Sequence, residues 1–112
     1  MPTILPTDEN SHPIPALRLR DGGAHKITAA ASSARNATAF DADTKIISLY
    51  ATAGVFIRFG GSAVAATNTD HYFPAGVYYD VAIGGDEAKQ YTHVAVIRAD
   101  STDGMLYVSE KI

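Results

Sequence analysis

The sequence predicts an all-β protein: an antiparallel β-sandwich or jelly roll of about seven or eight short strands, preceded by an extended N-terminal arm. Three observations predict it. Apolar residues alternate with polar ones over short runs, the spacing that places every second side chain on one face of a strand. Clusters of Gly, Asp and Ser separate those runs at short intervals. The hydrophobic share, 46%, is carried largely by Ala, Val, Ile, Tyr and Phe, with no Trp, and such residues suit thin pleated sheets. No segment has the helical period over a useful length, and no internal repeat is visible.

Residues 1–15 read as the arm and 16–112 as one sandwich domain. Pro2, Pro6, Pro13 and Pro15 interrupt the first segment, with polar Thr7 to Ser11 among them, so it neither continues a helix nor pairs inside a sheet. Its apolar residues Ile4, Leu5 and Ile14 are spaced as anchors for the domain's own surface or for a neighbouring subunit. A frayed terminus is the plain alternative.

Ala16 to Arg20 then reads as a short strand, Asp21-Gly22-Gly23 as a turn and His25 to Ala31 as a second strand. Ser32 to Asn36 is turn-like, and Ala37 to Asp41 has room for a short strand. The strongest hairpin signal joins Lys45–Ala51 to Val55–Phe59 through Thr52-Ala53-Gly54. Ile47 and Leu49 share one face of its first arm, and Val55, Ile57 and Phe59 share one face of the second.

Ser62 to Thr69 is too small and polar for a core and reads as a loop or edge, with a brief strand at Ala63 to Ala66. His71 to Phe73 resumes extended structure, Pro74-Ala75-Gly76 turns, and Val77 to Ile83 is a half-buried strand. GGDEAKQ, Gly84 to Gln90, is a charged loop. Thr92 to Ala99 is a strand covered on both faces; Asp100 to Gly104 reads as a hairpin loop ending in a positive-φ glycine, and Met105 to Glu110 returns with Leu106 and Val108 inward.

Composition excludes several classes of function. A net charge of −3 and a pI near 5.7 leave no basic footprint for nucleic acid. No apolar run approaches the roughly 20 residues of a membrane-spanning helix. The start of the chain lacks the pattern of a secretory signal, so synthesis in a cytoplasm is expected. Without cysteine there is no disulfide framework, thiolate metal site or cysteine nucleophile.

The remaining chemistry-bearing groups are dispersed. His12, His25, His71 and His93 lack the spacing of metal ligands. Asp70-His71 has the right residue types for acid–base work, but neighbours on a strand point to opposite faces, which argues against a dyad. The pairs Asp41/Asp43, Asp86/Glu87 and Asp100/Asp103 fall in predicted turns without EF-hand spacing, where Asp serves the backbone. Gly60-Gly61-Ser62 lacks the Lys and helix of a phosphate loop. Tyr50, Tyr72, Tyr78, Tyr79, Tyr91 and Tyr107 offer either strand packing or a sugar-stacking surface. No catalytic residue, cofactor or metal is expected.

Two stretches carry a family likeness. VFIRFGGSAVAATNTDHYFPAG and, after a strand, THVAVIRADSTDGMLYVSE resemble small virion proteins of tailed bacteriophages. The matching positions are Phe56 to Gly60, Ser62, Val64, Ala66, Thr67, Asp70, Pro74 to Gly76, Thr92 to Ile97, Gly104 and Leu106 to Val108. The likeness covers Ile46 to Glu110 and leaves the arm outside. Tyr72-Phe73 and the GGDEAKQ loop depart from the pattern.

The resemblance implies a non-enzymatic structural protein of the phage particle, of the capsid decoration or cement type. Such a protein would bind the outer shell and bridge subunits of the major capsid protein. It would act as a homo-oligomer, a dimer or trimer, with no nucleic acid or membrane partner, and would reside on the virion. Partner contact is expected at Ile4, Leu5, Ile14, Tyr72 and Phe73. The alternative is a tail, neck or fibre-tip component, including a carbohydrate-binding host-recognition module.

Overall fold

The computed structural model describes residues 7, 9–12, 17–85 and 89–112. The arm residues Ile4, Leu5 and Ile14 lie outside that set. Eight strands follow one another: β1 (Leu19–Ala29), β2 (Ala34–Arg35), β3 (Ile46–Ala51), β4 (Val55–Gly60), β5 (His71–Phe73), β6 (Tyr78–Ala82), β7 (His93–Arg98) and β8 (Gly104–Lys111). They form two four-stranded antiparallel sheets, β1-β8-β3-β6 and β2-β7-β4-β5, stacked as a β-sandwich.

The period-two pattern builds the core directly. Ile27, Ile47, Leu49, Leu106 and Val108 face inward from the first sheet and meet Val55, Ile57, Phe73, Val94 and Val96 from the second. Each such side chain contributes about 1.5–3 kcal/mol by leaving water. Phe40 and Ile83, from connections rather than strands, join the same cluster. Ala95 is also fully buried although its neighbours Val94 and Val96 point the other way, and Ile97 is half-buried, so β7 is largely covered on both faces.

Several local expectations are corrected. Asp21-Gly22-Gly23 is not a turn between two strands but an irregularity inside one. The step from Leu19 to Ala24 on β1 stands opposite the shorter step from Lys111 to Ser109 on β8. Gly22 takes φ +74°, and a Cβ on Gly23 would lie 2.9 Å from that of Glu110. The glycines thus let the strand bulge and let Glu110 come close. Beyond the bulge, Arg18 and Ile112 exchange two backbone hydrogen bonds, which carry the pairing to the end of the sheet.

The expected hairpin of β3 and β4 does not form, because the two strands lie in opposite sheets and face each other across the core. Thr52-Ala53-Gly54 is a corner whose polar groups are taken up by other elements. Thr52 N–H donates to Met105 O, Met105 N–H donates to Thr52 Oγ1, and Ala99 N–H donates to Gly54 O. The loop Asp100 to Gly104 is likewise a corner between sheets. Gly104 is not at positive φ. A Cβ there would sit 2.8 Å from the Cβ of Ala53, so close approach of the two corners is its reason. Finally, the short strand falls at Ala34–Arg35 rather than Ala37 to Asp41, and Ala63 to Ala66 is loop.

Candidate functional site

The two sides of the sandwich differ. On one side β1 packs across β2 and β7. On the other, β5 and β6 are the outer strands, joined by Pro74 to Val77, and an apolar cleft of about 470 Å³ opens between the sheets. Leu49 and Ile57 reach its floor; Phe59, Phe73, Tyr79 and Val81 line it. Phe73 and Tyr79 meet edge to face at 6.0 Å, a favourable aromatic geometry. His71, Pro74 and Val77 border the cavity.

Tyr72 and Phe73, both expected to touch a partner, point opposite ways as neighbours on a strand must. Tyr72 is 58% exposed and packs beside Phe56, its partner across β4, with ring centroids 5.7 Å apart. Phe73 is buried and belongs to the core. Asp70 and His71 do not form a dyad: Asp70 Oδ2 accepts from Thr67 N–H at 2.7 Å, closing the turn that leads into β5.

The outer face of the first sheet carries an aromatic row. Lys26 on β1 stands opposite Tyr107 on β8, Tyr107 opposite Tyr50 on β3, and Tyr50 opposite Tyr78 on β6. Directly paired residues share a face, so one residue from each of the four strands lines up across the sheet. Tyr50 and Tyr78 lie 6.1 Å apart. Lys26 and Lys111 hold their ammonium groups 6.0 Å over Tyr107 and Tyr78 respectively. Lys111 also pairs with Asp80 at 2.8 Å, and Ser48 Oγ donates to Tyr78 Oη at 3.1 Å. The surface presents rings and hydroxyls, with its charges largely matched in place.

A polar cluster sits at another corner. Glu110 is buried, and its Oε1 accepts from Thr44 Oγ1 at 2.7 Å and from Asp41 N–H at 2.8 Å. Its Oε2 lies 2.8 Å from His25 Nε2, and the two side chains are only 3% and 8% exposed. The His25 ring stands edge-on to Phe40 at 5.1 Å, and Asp41 is held in turn by Arg20 at 2.7 Å. A histidine beside a carboxylate is the arrangement of a general base. Here, however, the cluster's hydroxyl, that of Thr44, donates to Glu110, so the carboxylate acts as a three-way tie among β1, β8 and the segment before β3.

Nearby, His93 Nδ1 is 2.8 Å from Thr92 Oγ1. Burial above all, then the Arg35 cation and His25, holds its pKa below the ordinary 6.5. Among the described residues no group of three or more His, Asp or Glu is placed to hold a metal ion. Two of the turn carboxylates serve the fold: Asp41 Oδ1 accepts from Asp43 N–H, and Asp103 pairs with Arg98; Asp86 and Glu87 lie outside the described residues.

The aromatic row and the Glu110 tie were both missed as constellations. The row required knowing which strands are neighbours. The tie had a signal in the chain, since Glu110 continues the inward phase of Leu106 and Val108. Comparison of the chain with protein-family models, curated proteins and solved structures finds no match to any of them.

Proposed function

We propose that the chain is a structural virion protein of a tailed bacteriophage, a decoration or cement protein that binds the outer shell and bridges subunits of the major capsid protein. The observation that carries this reading is the aromatic row Tyr107–Tyr50–Tyr78 on the outer sheet face, with Tyr107 and Tyr78 exposed and Tyr50 half-buried between them. Tyrosines with matched flanking charges give large contact area at little entropic cost, the composition favoured at protein interfaces.

Two further features support it. Several of the residues behind the phage-protein likeness are scaffold here: Ile57, Val94, Val96, Leu106 and Val108 are core, and Gly76 and Gly104 serve a turn and a corner. The strand orders β1-β8-β3-β6 and β2-β7-β4-β5 also run as a jelly roll, an architecture found in viral capsid and lectin domains. That is an analogy of fold, and the site must carry the function. A rigid sandwich with an arm that touches a separate capsomer would turn weak contacts into a firm clamp through effective concentration.

The test adds purified chain to heads that lack it and reads occupancy on a stained gel. Binding at hundreds of copies per head is expected, with tenfold or greater loss for the pair Tyr107→Ala, Tyr78→Ala and a clear loss on deleting residues 1–15. A handful of copies per virion, or unchanged occupancy in the tyrosine variant, overturns the reading. The second reading, a carbohydrate-binding module at a tail or fibre tip, rests on the same rings bordered by Ser48, Asp80 and Lys111. It predicts saturable binding to host-surface polysaccharide that the tyrosine variant loses.

A further inference from the structure

We propose that a second copy of this chain docks along β6, antiparallel to it, about a twofold axis passing between the two Tyr79 residues. The first support is the contrast between the two edges of the first sheet. Edge strands invite pairing unless they are bulged, charged or covered. The β1 edge has its bulge at Gly22, the charged residues Arg20, Asp21 and Lys26, and β2 and β7 packed across it. On β6 the bulge and the cover are missing among the described residues: the strand is regular from Tyr78 to Ala82, and no described strand pairs with its outer edge. Its one charge, Asp80, is already matched by Lys111.

The second support is self-complementarity, since a twofold contact sets a strand against its own reverse. With the axis at Tyr79, the two Tyr79 rings face each other, Tyr78 lies opposite Asp80 of the second copy, and Val77 lies opposite Val81 of the second copy. Tyr78 Oη accepts from Ser48 within its own chain, which leaves its proton for the carboxylate across the axis. Moving the axis to Asp80 would oppose two carboxylates, which is unfavourable. Moving it to Tyr78 would set Ala82 against Pro74, which has no N–H to give.

The third support is the apolar surface this contact removes. Tyr79 is 55% and Val77 41% exposed, and both border the cleft between β5 and β6. Pairing through β6 would cover both and narrow the mouths of two clefts at once. It would also join the two first sheets into one of eight strands, with the two tyrosine rows on one outer face and out of line by two residues.

The experiment uses the full chain alone, so its result is separate from that of the capsid test. Sedimentation should give the mass of two chains. Tyr79→Lys, which sets two like charges across the axis, should halve that mass while leaving the circular dichroism spectrum unchanged. Because the chain has no cysteine, register is read by cross-linking single-cysteine variants. In Tyr79→Cys the two introduced thiols would face each other on Cα atoms about 4.5–5.5 Å apart, inside the range a disulfide bridges. In Asp80→Cys they would be diagonal neighbours at roughly 7–8 Å. Tyr79→Cys should therefore cross-link under mild oxidation at least tenfold faster than Asp80→Cys. A single-chain mass for the unaltered protein, a dimer that persists in Tyr79→Lys, or equal cross-linking of the two cysteine variants overturns the proposal.

Discussion

Glu110 shows how one side chain can decide a corner. Its carboxylate receives Thr44, the Asp41 N–H and His25 while almost fully buried, so removing it strands three polar partners away from water. Glu110→Leu should lower unfolding free energy by about 3 kcal/mol in urea titration, and Glu110→Gln, which keeps an acceptor oxygen, by clearly less. Equal losses would mean that the charge and both acceptor oxygens of the carboxylate, rather than one acceptor at that place, hold the corner. His93 makes a separate prediction about pH. Burial, and then Arg35 and His25, depress its pKa in the folded chain, so the unfolded chain takes up a proton first as pH falls below 6.5. Stability should be level above that value, drop as pH falls towards the folded pKa, and then lose this dependence. Thermal melts between about pH 7.5 and 5.5 should show the drop, and His93→Gln should flatten it.

At the scale of elements, alternation made most strands legible and said nothing of which sheet each joins. Val55 to Phe59 and Lys45 to Ala51 were readable as strands because their apolar residues fall in phase. Their pairing was not, because a hairpin and a corner use the same turn-forming residues in Thr52-Ala53-Gly54. What distinguishes them is the docking of Gly104 against Ala53, a contact between residues about fifty positions apart. The bulge in β1 hid for the same reason: Gly22-Gly23 has turn chemistry, and only the approach of Glu110 shows that the strand continues. The tyrosine row was out of reach for a simpler cause. Tyr50, Tyr78 and Tyr107 are ordinary strand residues until register aligns them.

For the whole molecule, β4 and β5 are the only described strands adjacent in sequence that share a sheet. The other pairings close long stretches of chain, and that of β1 with β8 spans nearly the whole sandwich. Such topologies must meet the loop-closure cost before native contacts repay it. Refolding from urea, followed by tyrosine fluorescence, should therefore take on the order of milliseconds to seconds. A microsecond phase carrying the full amplitude would contradict this. The position of β8 also bears on how the protein is made. It lies between β1 and β3 in the first sheet, yet of the eight strands it is the last to be translated. A nascent chain on the ribosome holds β1 and β3 with the strand that joins them still unmade, so that sheet can assemble only once Lys111 has cleared the exit tunnel.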